Sequence, residues 1–137
     1  MNSLKFQKCF LILQNKSIMQ QSTYNKLKQI PLEKKQKEIN NLKLKYPNRI
    51  PVIVYTSNSN NPPISKSKFL VESSMSMANF MAVLKNYIKI DKSDAIFLFT
   101  EKNTLIPNSW QISDVYYTSK NEDGFLYIEY CLENTFG

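Results

Sequence analysis

Between Met77 and Ile88 the apolar residues Met77, Phe80, Met81, Leu84 and Ile88 fall at i, i+3, i+4, i+7 and i+11, the stripe of an amphipathic helix. The helix is expected over Ser76 to Ile88, with Ser74 or Ser76 as its cap. On both sides the period changes. Ile50 to Tyr55, IPVIVY, is rich in β-branched residues and reads as a strand, with Pro51 confined to an end or an edge because it lacks a ladder donor. An Asn/Ser/Pro-rich loop, Thr56 to Ser65, separates it from a second short strand, Lys68 to Ser73, and the two are expected to pair as an antiparallel hairpin. After the helix, Ala95 to Thr100 is a nearly all-apolar strand, which suggests a central position covered on both faces. A turn at Glu101 to Asn103 and an irregular stretch around Pro107 lead to a short helical turn within Trp110 to Tyr117. The last strand is Phe125 to Cys131, with Leu126, Ile128 and Tyr130 on one side and Phe125, Tyr127 and Glu129 on the other. The order strand, strand, helix, strand, short helix, strand predicts an α+β, ubiquitin-like β-grasp with two additional N-terminal helices.

Those helices lie in a basic arm. Residues 1–45 carry ten lysines and two acids, so the whole of the +7 net charge sits in the N-terminal third and the rest of the chain is close to neutral. Leu32 to Tyr46 reads as an amphipathic helix opened by Pro31 and ended by Pro47. Leu32, Ile39, Leu42 and Tyr46 fall near one face, and Lys34, Lys35, Lys37 and Lys45 lie largely elsewhere. A shorter helix is expected within Ser22 to Gln29. Met1 to Ile18 is lysine-bearing and acid-free, and it fits a flexible extension, a weak targeting segment or an upstream start before Met19. The expected organisation is an extension over 1–18, a helical arm over 19–46, the β-grasp over 47–132 and a flexible conjugation tail over 133–137.

Composition excludes whole classes of chemistry. Without histidine there is no Ser-His-Asp or Cys-His pair and no histidine metal site. With one internal glycine there is neither a phosphate-binding loop nor a dinucleotide fingerprint. Cys9 and Cys131 fit a reducing compartment and make neither a zinc site nor a disulfide framework. No apolar run approaches the roughly 20 residues of a membrane span. No spacing suggests catalysis on carboxylates or lysines. The chain is expected not to be an enzyme and to require no cofactor or metal.

The chain has two glycines, and one of them is its last residue, Gly137. A terminal glycine carboxylate carries no side chain, so an enzyme can approach and activate it closely. Three stretches then carry a resemblance: PLEKKQKEI followed by KYPNRIPVIV, KSKFLVES before the amphipathic helix, and EDGFLYIEYCLENTFG at the end. Together, over about Gln20 to Gly137, they resemble the autophagy ubiquitin-like modifiers, the GABA-receptor-associated-protein group and its yeast relative. The resemblance implies that Gly137 is adenylylated by an activating enzyme, passed as a thioester to a conjugating enzyme, and amidated onto phosphatidylethanolamine. Phe136 matches the aromatic position before the glycine, and Thr135 and Asn134 belong to the tail. A deconjugating cysteine protease is a further implied partner, and no priming cut is expected. The lipid would hold the protein on autophagosome and vesicle membranes without a spanning helix, and the basic arm would add attraction to anionic lipid.

The resemblance also implies docking of receptor segments of the form aromatic-x-x-aliphatic as an added strand on the second strand. The aromatic pocket maps onto Glu38, Leu42, Pro51, Lys68, Leu70 and Phe125, and the aliphatic pocket onto Phe69, Val71, Met75, Phe80 and Val83. Arg49 and Lys66 would meet acidic flanking residues. For every apolar residue here, core packing is the plainer role. This chain departs from the family pattern at Glu72, where relatives usually have proline, and in the long Asn/Ser loop. Two other readings compete. One is a modifier joined to a protein lysine. The other is an unconjugated basic module for RNA or acidic proteins, which would need exposed aromatics among its lysines. The arm offers only Tyr24 and Tyr46, so no nucleic acid partner is expected.

Overall fold

The strand-like runs assemble into one four-stranded mixed sheet with helices on both faces. The computed structural model describes residues 23–91 and 93–133. The expectations for the 1–18 extension, for Met19 and for Asn134, Thr135, Phe136 and Gly137 lie outside the described residues. The elements are α1 (Thr23–Lys28), α2 (Leu32–Lys45), β1 (Arg49–Tyr55), β2 (Lys68–Glu72), α3 (Met77–Leu84), β3 (Ile96–Thr100), α4 (Ile112–Ser119) and β4 (Leu126–Leu132). The strand order is β2-β1-β4-β3. β1 pairs antiparallel with β2 and parallel with β4, and β3 pairs antiparallel with β4. A parallel central pair flanked by antiparallel neighbours, with α3 packed across one face, is the β-grasp arrangement.

Alternation along the central strands builds two cores. On one face Val52, Val54, Leu126, Ile128 and Tyr130 pack with Met77, Phe80 and Leu84 of α3 and with Ile112 and Val115 of α4. On the other, Ile53, Tyr55, Phe125 and Tyr127 pack with Leu27 of α1 and Ile39 of α2. Every residue of β4 is buried, so the sheet is covered on both sides along its centre.

Three expectations are corrected. The strand near Ala95 is not central: β3 is an edge strand. It is apolar on both faces because the following loop folds back over its free edge. Ile106 N–H donates to the Leu98 carbonyl (2.9 Å), and Thr100 N–H to that of Thr104 (2.9 Å). Second, α3 stops at Leu84, short of Ile88. The chain tightens into i→i−3 bonds from Asn86 and Tyr87, and Ser65 N–H then takes the Tyr87 carbonyl (2.8 Å), so Ile88 enters the core from a turn. The cap is as expected, with Ser76 Oγ accepting from Asn79 N–H at 3.1 Å. Third, the apolar face of α2 is narrower than its pattern. Leu32 and Tyr46 are 38% and 37% exposed, whereas Lys35 is buried. Lys35 Nζ lies 3.2 Å from Oδ2 of the buried Asp123, which also accepts from Phe125 N–H (2.8 Å) and from the Tyr127 hydroxyl. A buried carboxylate needs a cation and donors, and Lys35 supplies the cation one turn before Ile39. Burial and then the bond to Asp123 push the Tyr127 hydroxyl well above the ordinary phenol range, so it stays a donor.

Candidate functional site: the open edge of the second strand

β2 has β1 on one side and no described strand on the other. Pro51 decides which of its backbone groups face outward. Val54 N–H donates to Ser67 O (2.9 Å) and Ser73 N–H to Asn48 O (3.0 Å), so the bonded pairs of this ladder are Val54/Ser67, Val52/Phe69 and Ile50/Val71. Pro51, opposite Leu70, falls at a non-bonded position where its missing N–H costs nothing. The N–H and C=O groups of Lys68, Leu70 and Glu72 therefore turn away from β1. Two are already engaged: Glu72 O accepts Met75 N–H (3.0 Å), and Leu70 O accepts Arg49 Nη1 (3.2 Å).

Side-chain alternation splits the mapped residues between the two faces. Pro51, Lys68 and Leu70 share the α2 face with Ile53 and Phe125. There Leu42 and Leu70 are half-buried, Glu38 and Lys68 are exposed, and Pro51 and Phe125 are buried. Phe69 and Val71 lie on the α3 face. Phe69 meets Phe80 edge-on (centroids 5.7 Å apart), with Met75 and Val83 partly exposed nearby in sequence and Phe80 fully in the core. Phe80 and Phe125 thus form floor, and Leu42, Leu70, Met75 and Val83 offer accessible apolar surface. One residue was missed. Tyr87 stands edge-on to Phe69 at 5.4 Å, and Lys66 Nζ lies over both rings (4.9 and 5.6 Å). The signal was its i+3 spacing from Leu84. Lys66 and Arg49, mapped as flanking charges, are both exposed, on opposite sides of the open edge.

The family model described as "Autophagy protein Atg8 ubiquitin like" matches residues 34–137. The chain belongs to the Atg8 family. Autophagy-related protein 8c of Arabidopsis thaliana is 45% identical over 108 residues, which is 78% of this chain and 90% of the relative. Autophagy-related protein 8B of Oryza sativa subsp. indica is 45% identical over 107 residues, 77% of this chain and 89% of that one. Among solved structures, Trypanosoma brucei ATG8 superposes with a TM-score of 0.75 at 33% identity, covering 86% of this chain and all of its own. Plasmodium falciparum Atg8, solved in complex with a P. falciparum Atg3 peptide, gives 0.68 at 33% identity, covering 76% of this chain and 92% of its own. The fold of this Atg8 family member is thus ubiquitin-like with N-terminal helices, and its role lies in autophagy.

Proposed function

We propose that this Atg8 family member is a modifier conjugated through Gly137 to phosphatidylethanolamine, a substrate of its enzymes and not itself an enzyme. What carries the reading is the family match, which runs through Gly137. In the proposed sequence the Gly137 carboxylate attacks the α-phosphorus of ATP, releasing pyrophosphate. A cysteine thiolate then displaces AMP to give a thioester, which passes to a cysteine of the conjugating enzyme. Finally the lipid headgroup amine attacks the thioester carbonyl, the thiolate leaves, and an amide remains. A deconjugating cysteine protease would hydrolyse that amide. The exposed lysines 34, 37, 43 and 45 on α2 support attraction to anionic headgroups at autophagosome and vesicle membranes.

The open β2 edge supports the second half of the reading, docking of receptors with aromatic-x-x-aliphatic segments. An extended segment would bond to Lys68 and Leu70, seat its aromatic residue toward Leu42 and Leu70, and its aliphatic residue toward Met75 and Val83. Arg49 and Lys66 would meet its acids. The P. falciparum Atg8 complex with an Atg3 peptide supports interaction of this chain with an Atg3-type conjugating partner. Gly137→Ala tests the covalent half. In reconstituted transfer to phosphatidylethanolamine vesicles the variant should form no lipid adduct while keeping its fold by circular dichroism. An unchanged yield of adduct would refute the assignment of Gly137.

A further inference from the structure

The outward groups of β2 are not equally available. Leu70 O is taken by Arg49 and Glu72 O by Met75 N–H. That leaves the Lys68 carbonyl and the N–H groups of Lys68, Leu70 and Glu72, which have no partner among the described residues. Glu72 is the last of these donors along the strand. Its side chain lies on the α2 face, because Val71 before it faces α3 and because Arg49 is its partner across the ladder. The carboxylate is exposed and forms no ion pair among the described residues. Arg49 leaves it unpaired, since its Nη1 is held level with Leu70, at Leu70 O (3.2 Å). Read along the α2 face, the open edge therefore presents Lys68 and Arg49 and then Glu72: two cations followed by an anion.

We propose that Glu72 is a specificity-determining residue of this edge: its N–H adds a ladder bond to a docked segment, and its carboxylate selects a basic residue at the second x, so that the partner class is aromatic-x-basic-aliphatic. This rests on the reading of the β2 edge as the docking site, with the aromatic residue level with Leu70 and the aliphatic one toward Met75. That placement runs the segment parallel to β2. In a parallel ladder the carbonyl of the residue after the aromatic then meets Glu72 N–H. The side chain of the next residue, the second x, returns to the α2 face beside the Glu72 carboxylate. A lysine or arginine there gains an ion pair, and an acid is repelled. Acids that precede the aromatic residue meet Lys68 instead.

The test is calorimetry on the full chain with three peptides that share a tryptophan-alanine-x-leucine core and differ only in having lysine, alanine or glutamate at x. The wild-type chain should bind the lysine peptide about threefold more tightly than the alanine peptide, and the glutamate peptide more weakly by a like factor. Glu72→Gln keeps the N–H and loses the charge. It should hold the alanine peptide as wild type does and lose the preference for lysine over glutamate. Glu72→Pro also removes the N–H, which no described residue uses and which an edge strand can spare. It should bind all three peptides about fivefold more weakly than Glu72→Gln does, with its fold checked by circular dichroism. Should the proline variant fail to fold, the glutamine variant alone decides. Equal affinity of wild type for the three peptides overturns the proposal, as does a lysine preference that survives in Glu72→Gln. Equal affinities of a folded Glu72→Pro and Glu72→Gln overturn the ladder bond. Failure of all three peptides to bind the wild-type chain refutes the docking reading itself and so is distinguishable from these.

Discussion

Gly124 is held at φ +96°, and a Cβ built there would come within 2.6 Å of Ile39 Cγ2. Ile39 is β-branched and buried, so it cannot swing aside without moving α2. Gly124→Ala should therefore destabilise the protein by about 1–3 kcal/mol, read as a lower urea midpoint. A midpoint within error of wild type would mean that α2 yields freely at this contact. Glu129 is a different kind of residue: a carboxyl buried at 2% exposure on a central strand, its Oε1 without a hydrogen-bond donor among the described residues. Burial raises its pKa above the ordinary glutamate range, against the smaller opposing effect of Ser57. The native state then binds more protons than the unfolded chain. Its contribution is fully present below the unfolded value of about 4.3 and is lost as the pH rises through the raised folded value. Glu129→Gln should be more stable than wild type at neutral pH, by roughly 1 kcal/mol, with the gain closing toward pH 4. Equal gains at both pH values in urea titrations would contradict this. The strand pattern predicted the side on which Glu129 lies but not its burial, because β1 and β4 become neighbours only through a parallel pairing that no local signal encodes.

Among the elements, β2 carries the proposed docking role, because it is an edge strand whose outward backbone groups could take an added strand. Leu70 stands at the centre of that edge, opposite Pro51. Leu70→Ala should weaken binding of an aromatic-x-x-aliphatic peptide by about tenfold, the loss of a buried aliphatic contact of roughly 1–2 kcal/mol. Calorimetry showing unchanged affinity would remove the mapped groove. The hairpin, the helix cap at Ser76 and the two faces of β4 were legible because each is written in local periodicity or capping chemistry. The edge position of β3 was not, since the loop that covers it makes an edge strand look like a central one. Nor was the burial of Lys35, because its reason, Asp123, stands far along the chain. The mapped groove residues came from resemblance. Their division between the two faces follows from strand alternation once the register is known.

At the scale of the whole molecule, the described residues form three layers: the helices α1 and α2, the sheet, and the layer of α3 and α4. The N-terminal layer is tied down by polar and ring contacts as well as by apolar packing. Lys35 pairs with Asp123 inside, and at the margin Tyr24 stacks on Tyr55 (3.9 Å) while Lys28 reaches Glu101 (2.8 Å). Lysines 34, 37, 43 and 45 of α2 are exposed. The proposed docking edge is that of β2, and β4, the last described strand before Gly137 in the sequence, lies two strands away. The central claim, covalent attachment through Gly137, is tested most directly by the intact mass of the membrane-bound form from cells, with its C-terminal peptide sequenced. The account predicts a phosphatidylethanolamine adduct on Gly137. A free Gly137 carboxylate on that form, or an isopeptide bond to a protein lysine, would contradict it.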